Sequence, residues 1–346
     1  INPATLALLV TMLSMSTILT MSSHHWILAW IGLELNTLSI LPIMMKPHHP
    51  RATEAATKYF IIQTLAAGLI LFASTINAWQ TGQWTIMMSP SPMVNNITLA
   101  ALLLKMGIAP AHLWYPDVIQ GTTMVTALVI STWQKLAPLT LLYLTINNMQ
   151  TNTLILLGIS SVLVGGLVGL NQTQTRKIMA LSSIAHMGWL LIALAMNPDL
   201  ATLTMSIYLL MTTTIFLCLN ITTTKTLLDL STASSQSPTL MATTSITLLS
   251  LGGLPPLTGF MPKLLILKDL SMIKTPILAT TLGLVGLPSL YFYTRMVFLS
   301  TLTTPPNTNC VKYKWRLKTN KKTYMSLTLT LATLILPLTP LLYAPH

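Results

Sequence analysis

Charge is what this sequence has least of. Only 7% of its 346 residues are Asp, Glu, Lys or Arg, and acids supply six of them against eighteen Lys and Arg. A soluble domain carries about 25% charged residues, so a water-facing globular surface is excluded. Cysteine is almost missing too: Cys218 sits in an apolar stretch and Cys310 in a polar one, which excludes a disulfide framework and a thiolate metal or iron–sulfur site. No glycine-rich dinucleotide fingerprint follows a strand, no histidines stand at haem spacing on two helices, and no nucleophile–base set is present. The chain is therefore expected to hold no cofactor and no metal of its own. Neither a basic n-region nor an Arg-rich presequence precedes the first apolar run, so insertion is expected to rely on the first helix. The net charge of +12 gathers at the ends of apolar segments and in one hydrophilic loop, not on a nucleic-acid-binding framework, and nucleic acid is excluded as a partner.

What fills the space is apolar: 52% hydrophobic residues and a mean hydropathy of +0.69. A bilayer core takes roughly 20 apolar residues per helix, and the turn signals between apolar windows predict an all-α, polytopic membrane helix bundle of about eleven transmembrane helices. They fall at 4–21, 25–45, 55–79, 94–109 with a continuation past Pro110, 123–146, 153–170, 177–196, 200–221, 240–267, 276–299 and 324–342. The sixth carries Gly165, Gly166 and Gly169, a spacing suited to close helix packing. Gly107-Ile-Ala-Pro110 with Pro116 is echoed by Gly253-Leu-Pro255-Pro256 with Pro262, so helices four and nine are expected to be broken. Each is the fourth of a run of five, which predicts two inverted five-helix repeats, 1–150 and 151–300, followed by a polar loop and C-terminal helix at 301–346. Thirteen of the eighteen Lys and Arg then share one side of the bilayer, including Lys312, Lys314, Arg316, Lys318, Lys321 and Lys322 of the last loop. That bias predicts the N-terminus on the inner, positive side.

Four charges do not fit a loop. Glu34 lies near the middle of the second helix, and Lys105, Lys135 and Lys263 lie inside apolar segments. A charge at that depth costs about 2.5–3.5 kcal/mol on insertion scales, so its retention points to use. Burial disfavours the charged form of a lysine and a nearby carboxylate restores it; the separation of Glu34 from Lys105 then sets whether the lysine holds or releases a proton. His112 and His186 have the acid–base range to relay between such sites. The bland alternatives are a structural ion pair for Glu34 and Lys105, interfacial lysines at Lys135 and Lys263, and packing histidines.

The motifs that carry these residues are WIGLELN, PHHPRATEAATKYF, KMGIAPAHLWYPD, TWQKLAP, GLNQTQTRKIMALSSIAHMGW and GGLPPLTGFMPK. Over nearly the whole chain they resemble the chain 2 family of mitochondrial NADH:ubiquinone oxidoreductase, among the antiporter-like membrane subunits of respiratory complex I. The abundance of Met and Thr and the initial Ile also look like an organellar product. By this resemblance Glu34 and Lys105 form a coupling ion pair, Lys135 is the central relay, Lys263 lies toward the outlet or a neighbouring subunit, and His112 and His186 lie near the path. Ala111 stands where many relatives have an aromatic residue. The resemblance further implies redox-coupled proton translocation across the mitochondrial inner membrane. NADH, FMN, iron–sulfur clusters and ubiquinone are then held by other subunits, and the partners are other complex I membrane subunits, neighbouring antiporter-like ones among them, with supernumerary subunits and inner-membrane phospholipids. A stand-alone cation/proton antiporter and a mainly structural bridge are the rival readings.

Overall fold

Proline at the first helical turn, where its missing N–H is no loss, opens helix after helix in this chain. The computed structural model describes residues 2–89, 91–233, 238–302, 324–334 and 336–338. The six basic residues from Lys312 to Lys322, Cys310 and the end of the last expected helix lie outside the described residues. Fifteen α-helices are described: α1 Pro3–Met21, α2 Trp26–Met45, α3 Pro50–Thr81, α4 Pro92–Met106, α5 Trp114–Gly121, α6 Met124–Ser131, α7 Leu136–Thr145, α8 Thr151–Leu170, α9 Thr175–Met196, α10 Pro198–Thr222, α11 Leu227–Thr232, α12 Pro238–Gly252, α13 Phe260–Met272, α14 Pro276–Leu302 and α15 Tyr324–Leu334. Two single-residue bridges, His25 with Thr85 and Gln174 with Thr226, are the extended pairings among the described residues. Eight helical spans there are long and apolar enough to cross a membrane, with α6 and α7 counted as one, and two shorter apolar helices lie at Pro92–Met106 and Thr239–Gly252.

The helices gather into two compact units, 1–161 and 162–346. In the first, α2 packs on α1 and α3, α3 on α4 and α5, and α7 on α1 and α4. Gly32 lets α2 meet α1 closely, since a Cβ there would lie 3.1 Å from the Ser16 carbonyl oxygen. Histidine side chains start two helices: His25 Nδ1 accepts from the Ile27 N–H at 3.3 Å and His49 Nδ1 from the Arg51 N–H at 3.2 Å. In the second unit α9 is the innermost helix, packed on α10 and α13, while α14 packs on α12 and α10 on α12 and α15. The expected glycine contact is present: a Cβ on Gly165 would lie 2.8 Å from the Leu181 carbonyl of α9, and one on Gly169 2.8 Å from the Phe292 ring of α14. Large apolar side chains such as Ile61, Leu65, Leu156 and Ile277 point outward, as they do on helices whose solvent is hydrocarbon.

Two features depart from the expected segments. The fifth is not continuous: a single 3-10 turn at Trp133–Lys135 separates α6 from α7. Its cause is Pro138, which offers no N–H to the carbonyl four residues back and crowds it. The other is α11, a six-residue helix held by a capping box between Thr226 and Asp229. Backbone N–H groups of Thr226 and Lys225 donate to the Asp229 carboxylate at 2.9 and 3.0 Å and hold its pKa below the usual carboxylate range. A depressed carboxylate pKa stabilises the cap above the unfolded value of about 3.9, and the contribution is lost as pH falls through the folded value. Asp229→Ala is expected to speed amide exchange at residues 227–230 several-fold at neutral pH; an unchanged exchange rate would remove the cap from the account.

Candidate functional site

Each unit contains a broken helix, and the two breaks share one local geometry. Gly107 and Gly253 close α4 and α12 in the left-handed region, at φ 68° and 86°, where glycine alone is at ease. After each, the next N–H reaches back five residues: Ile108 to the Leu103 carbonyl at 3.1 Å and Leu254 to Leu249 at 3.4 Å, the longer bond of a Schellman cap. Pro110 lies in the first turn, Pro255 and Pro256 in the second. The next helix begins at Trp114 in one case and Phe260 in the other, seven residues after the glycine both times.

In the first unit the break leaves Lys105 on the last turn of α4, 7% exposed. Its ammonium lies 3.5 Å from the Gln63 carbonyl of α3, and the Gln63 side chain returns the contact by donating to the Lys105 carbonyl at 3.3 Å. Glu34 is half-buried on α2, and its Oε2 accepts from the Thr37 hydroxyl at 3.2 Å. The direct ion pair expected of Glu34 with Lys105 is not formed in this structure. The ion pairs among the described residues are those of Lys58 with Glu54, at 2.8 Å, and with Asp117, at 3.3 Å. The carboxylate instead contacts Thr37 on its own helix and the ammonium the Gln63 carbonyl of α3.

Four uncharged residues that sequence reasoning missed surround Lys105. Tyr59 donates to Gln134 Oε1 at 3.3 Å, and the Gln134 amide donates to Asn36 Oδ1 at 3.0 Å. With Gln63, Thr37, Leu33 and Pro138 they enclose a cavity of about 10 Å³ that Lys105 also lines, about the room one water needs. A signal existed: Tyr59 and Gln63 stand four apart on one face of α3, and Asn36 follows Glu34 by two. Lys135 ends the 3-10 turn beside Gln134, only 2% exposed, with its ammonium 4.8 Å from the centre of the Tyr115 ring. That is cation–π range, and it makes Lys135 a core residue, not one that snorkels to an interface. His112 lies in the turn before α5, with Nδ1 3.2 Å from the Pro110 carbonyl; the structure does not bring it to the cavity of Lys105.

The second unit gathers Lys263 and His186. Lys263 donates to the last carbonyls of the broken helix α12, to Gly252 at 2.9 Å and Leu251 at 3.4 Å. A cation there complements the negative end of the helix dipole. Its ammonium also stands 5.7 Å from the Trp189 ring. His186 Nε2 lies 3.3 Å from the Tyr293 hydroxyl, and its ring centre 5.7 Å from that of Tyr208. Both residues line one cavity of about 30 Å³ with Thr204, Tyr208 and Gly259, room for a water or two. Among the described residues no cluster of His, Cys, Asp or Glu could hold a metal ion.

Apolar helices broken at left-handed glycines, with a lysine at each break, fit an antiporter-like membrane subunit. The family model described as NADH:quinone oxidoreductase/Mrp antiporter, TM, matches residues 23–301, and that of the NADH dehydrogenase subunit 2 C-terminus matches 290–343. The chain belongs to the NADH-ubiquinone oxidoreductase chain 2 family. It is 52% identical over 340 residues to that chain of Carassius auratus, covering 98% of each, and 47% identical over 341 residues to that of Xenopus laevis, covering 98% of this chain and 99% of the other. Among solved structures, a chain of respiratory complex I from Thermus thermophilus superposes with a TM-score of 0.80 at 26% identity, over 96% of this chain and 79% of that one. A chain of the Mrp complex from Dietzia shares the fold, with a TM-score of 0.78 at 15% identity over 86% of this chain and 61% of that one.

Proposed function

We propose that this chain moves protons for NADH:ubiquinone oxidoreductase through Glu34, Lys105, Lys135 and Lys263, with His186 and His112 as relays. As a chain 2 family member it is a multi-pass membrane subunit of respiratory complex I, a proton-translocating NADH:ubiquinone reductase, and other complex I subunits are its partners. The observation that carries the proton reading is the placing of three lysines at three helix breaks, Lys105 and Lys135 buried and Lys263 half-buried. A break frees backbone carbonyls that hydrocarbon cannot satisfy; at the end of α12 those of Leu251 and Gly252 accept from Lys263, and a lysine so placed can release a proton as the ammonium and take one back as the amine. Animal relatives support the mitochondrial inner membrane as the location. The charge bias supports an N-terminus on the matrix side, and the matching glycine caps support two inverted five-helix repeats at 1–150 and 151–300.

The chemistry that the chain lacks is assigned elsewhere in the complex: NADH, FMN, iron–sulfur clusters and ubiquinone to other subunits. Its outward apolar faces suit neighbouring antiporter-like subunits, supernumerary subunits and phospholipid. Glu34→Gln in the assembled complex tests the reading, because it removes the charge and keeps the shape. Proton pumping per NADH oxidised and coupled turnover are expected to fall about tenfold, and wild-type values would overturn the role of the carboxylate. The family match to an antiporter favours one rival, a stand-alone cation/proton antiporter. Transport of sodium or protons by the purified chain in liposomes would establish that rival instead.

A further inference from the structure

The cavity beside Lys105 is lined by uncharged side chains, one of which, Gln134, directly precedes Lys135 in the chain, and the polarity of each hydrogen bond among them can be read. A charged lysine has three donors and no lone pair, whereas a neutral one gains an acceptor. A water in the cavity lined by Lys105, Tyr59, Gln63, Gln134 and Asn36 must turn over when Lys105 changes state. Beside an ammonium, the water accepts from Nζ and donates onward to the Tyr59 oxygen, whose own O–H stays on Gln134 Oε1, the 3.3 Å bond seen here. Beside a neutral amine, the water donates to Nζ and needs a donor in return. The Tyr59 hydroxyl is that donor once it leaves Gln134.

Lys135 is reached through the backbone, its own ammonium standing 4.8 Å from the centre of the Tyr115 ring. Gln134 and Lys135 are consecutive residues of the 3-10 turn, which Pro138 deprives of regular helical bonding. The Gln134 amide is held at one end by Tyr59 and at the other by Asn36, at 3.0 Å. Removing the Tyr59 bond leaves one tether on the residue that precedes Lys135. We propose that Tyr59 and Gln134 form a hydrogen-bond switch that reports the charge of Lys105 to Lys135. Both are positioning residues, since neither changes its own charge. The switch rests on the proton-translocation reading above and adds to it the element that makes one lysine respond to the other.

Tyr59→Phe in the intact complex tests it, because the substitution removes one oxygen and keeps the ring. NADH-driven proton pumping and coupled turnover are expected to fall about tenfold, and the pH profile of turnover is expected to shift, with the complex fully assembled. Gln134→Leu is expected to do the same, and the double variant no more than either single one, as for residues acting in one network. A wild-type rate and pH profile for Tyr59→Phe overturns the switch, as does additivity of the two losses. A lower thermal stability with the pH profile unmoved also overturns it, since packing alone gives that result. Should Tyr59→Phe reduce the amount of complex, Gln134→Leu is read by the same criteria. Lys105→Met is measured alongside: loss of pumping there with Tyr59→Phe unaffected defeats the switch alone, and neither variant losing pumping defeats the proton reading with it.

Discussion

Lys105→Met is expected to lower pumping-coupled turnover at least about a hundredfold while the complex assembles in normal amount. A hundredfold loss corresponds to about 2.7 kcal/mol of barrier. The assembly half of the prediction comes from packing. Methionine keeps most of the apolar stem of lysine and is adaptable in irregular gaps. The single bond given up, to the Gln63 carbonyl, is long at 3.5 Å. Exchanging a buried, weakly engaged charge for an apolar group of similar volume is neutral or stabilising, so a purely structural Lys105 predicts full activity and equal or better stability. A proton carrier predicts loss of pumping at unchanged stability. Native electrophoresis for assembly and proton uptake by reconstituted complex separate these outcomes, and wild-type pumping by the Lys105→Met complex refutes the carrier.

Local chemistry made part of this site legible from residues alone. Gly107 and Gly253 could be read as breaks because a glycine followed by prolines at fixed offsets has few helical options, and both became left-handed caps. Lys135 was legible as a buried charge, but its break was not. Pro138 acts on a carbonyl four residues upstream inside a run whose average hydropathy stays high, so the window read 123–146 as continuous. The pairing of Glu34 with Lys105 turns on the distance between α2 and α4, and no pattern within either helix contains that distance. In the structure the partners are Thr37 and Gln63. Asn36, Tyr59, Gln63 and Gln134 escaped for another reason. An uncharged polar side chain in an apolar helix has a modest cost that one hydrogen bond offsets, so it stands out only when its partner is seen.

The other large effect is steric. Gly259→Ala is expected to destabilise the second unit by about 3 kcal/mol or more, read as a lower melting temperature and a sharp fall in assembled complex. A Cβ at Gly259 would meet the Ser250 carbonyl oxygen, lie 2.8 Å from its carbon, and come within 3.5 Å of the Leu251 nitrogen. These atoms are backbone, so no side-chain rotation gives relief, and the last turn of α12 has to move away from the start of α13. That turn is already committed: the Ser250 carbonyl accepts the Gly253 N–H at 3.0 Å, and the next carbonyls hold Lys263. Relief of the clash therefore pulls the cap and the lysine apart together, and any residual complex should pump poorly as well as melt early. Gly68→Ala is the control, a helix glycine with nothing within 4 Å of a new Cβ, where alanine is expected to be neutral or mildly stabilising. Normal accumulation, melting and pumping for Gly259→Ala would mean that the two halves of the broken helix do not meet at Ser250, and that the glycine closes no contact on which the position of Lys263 depends.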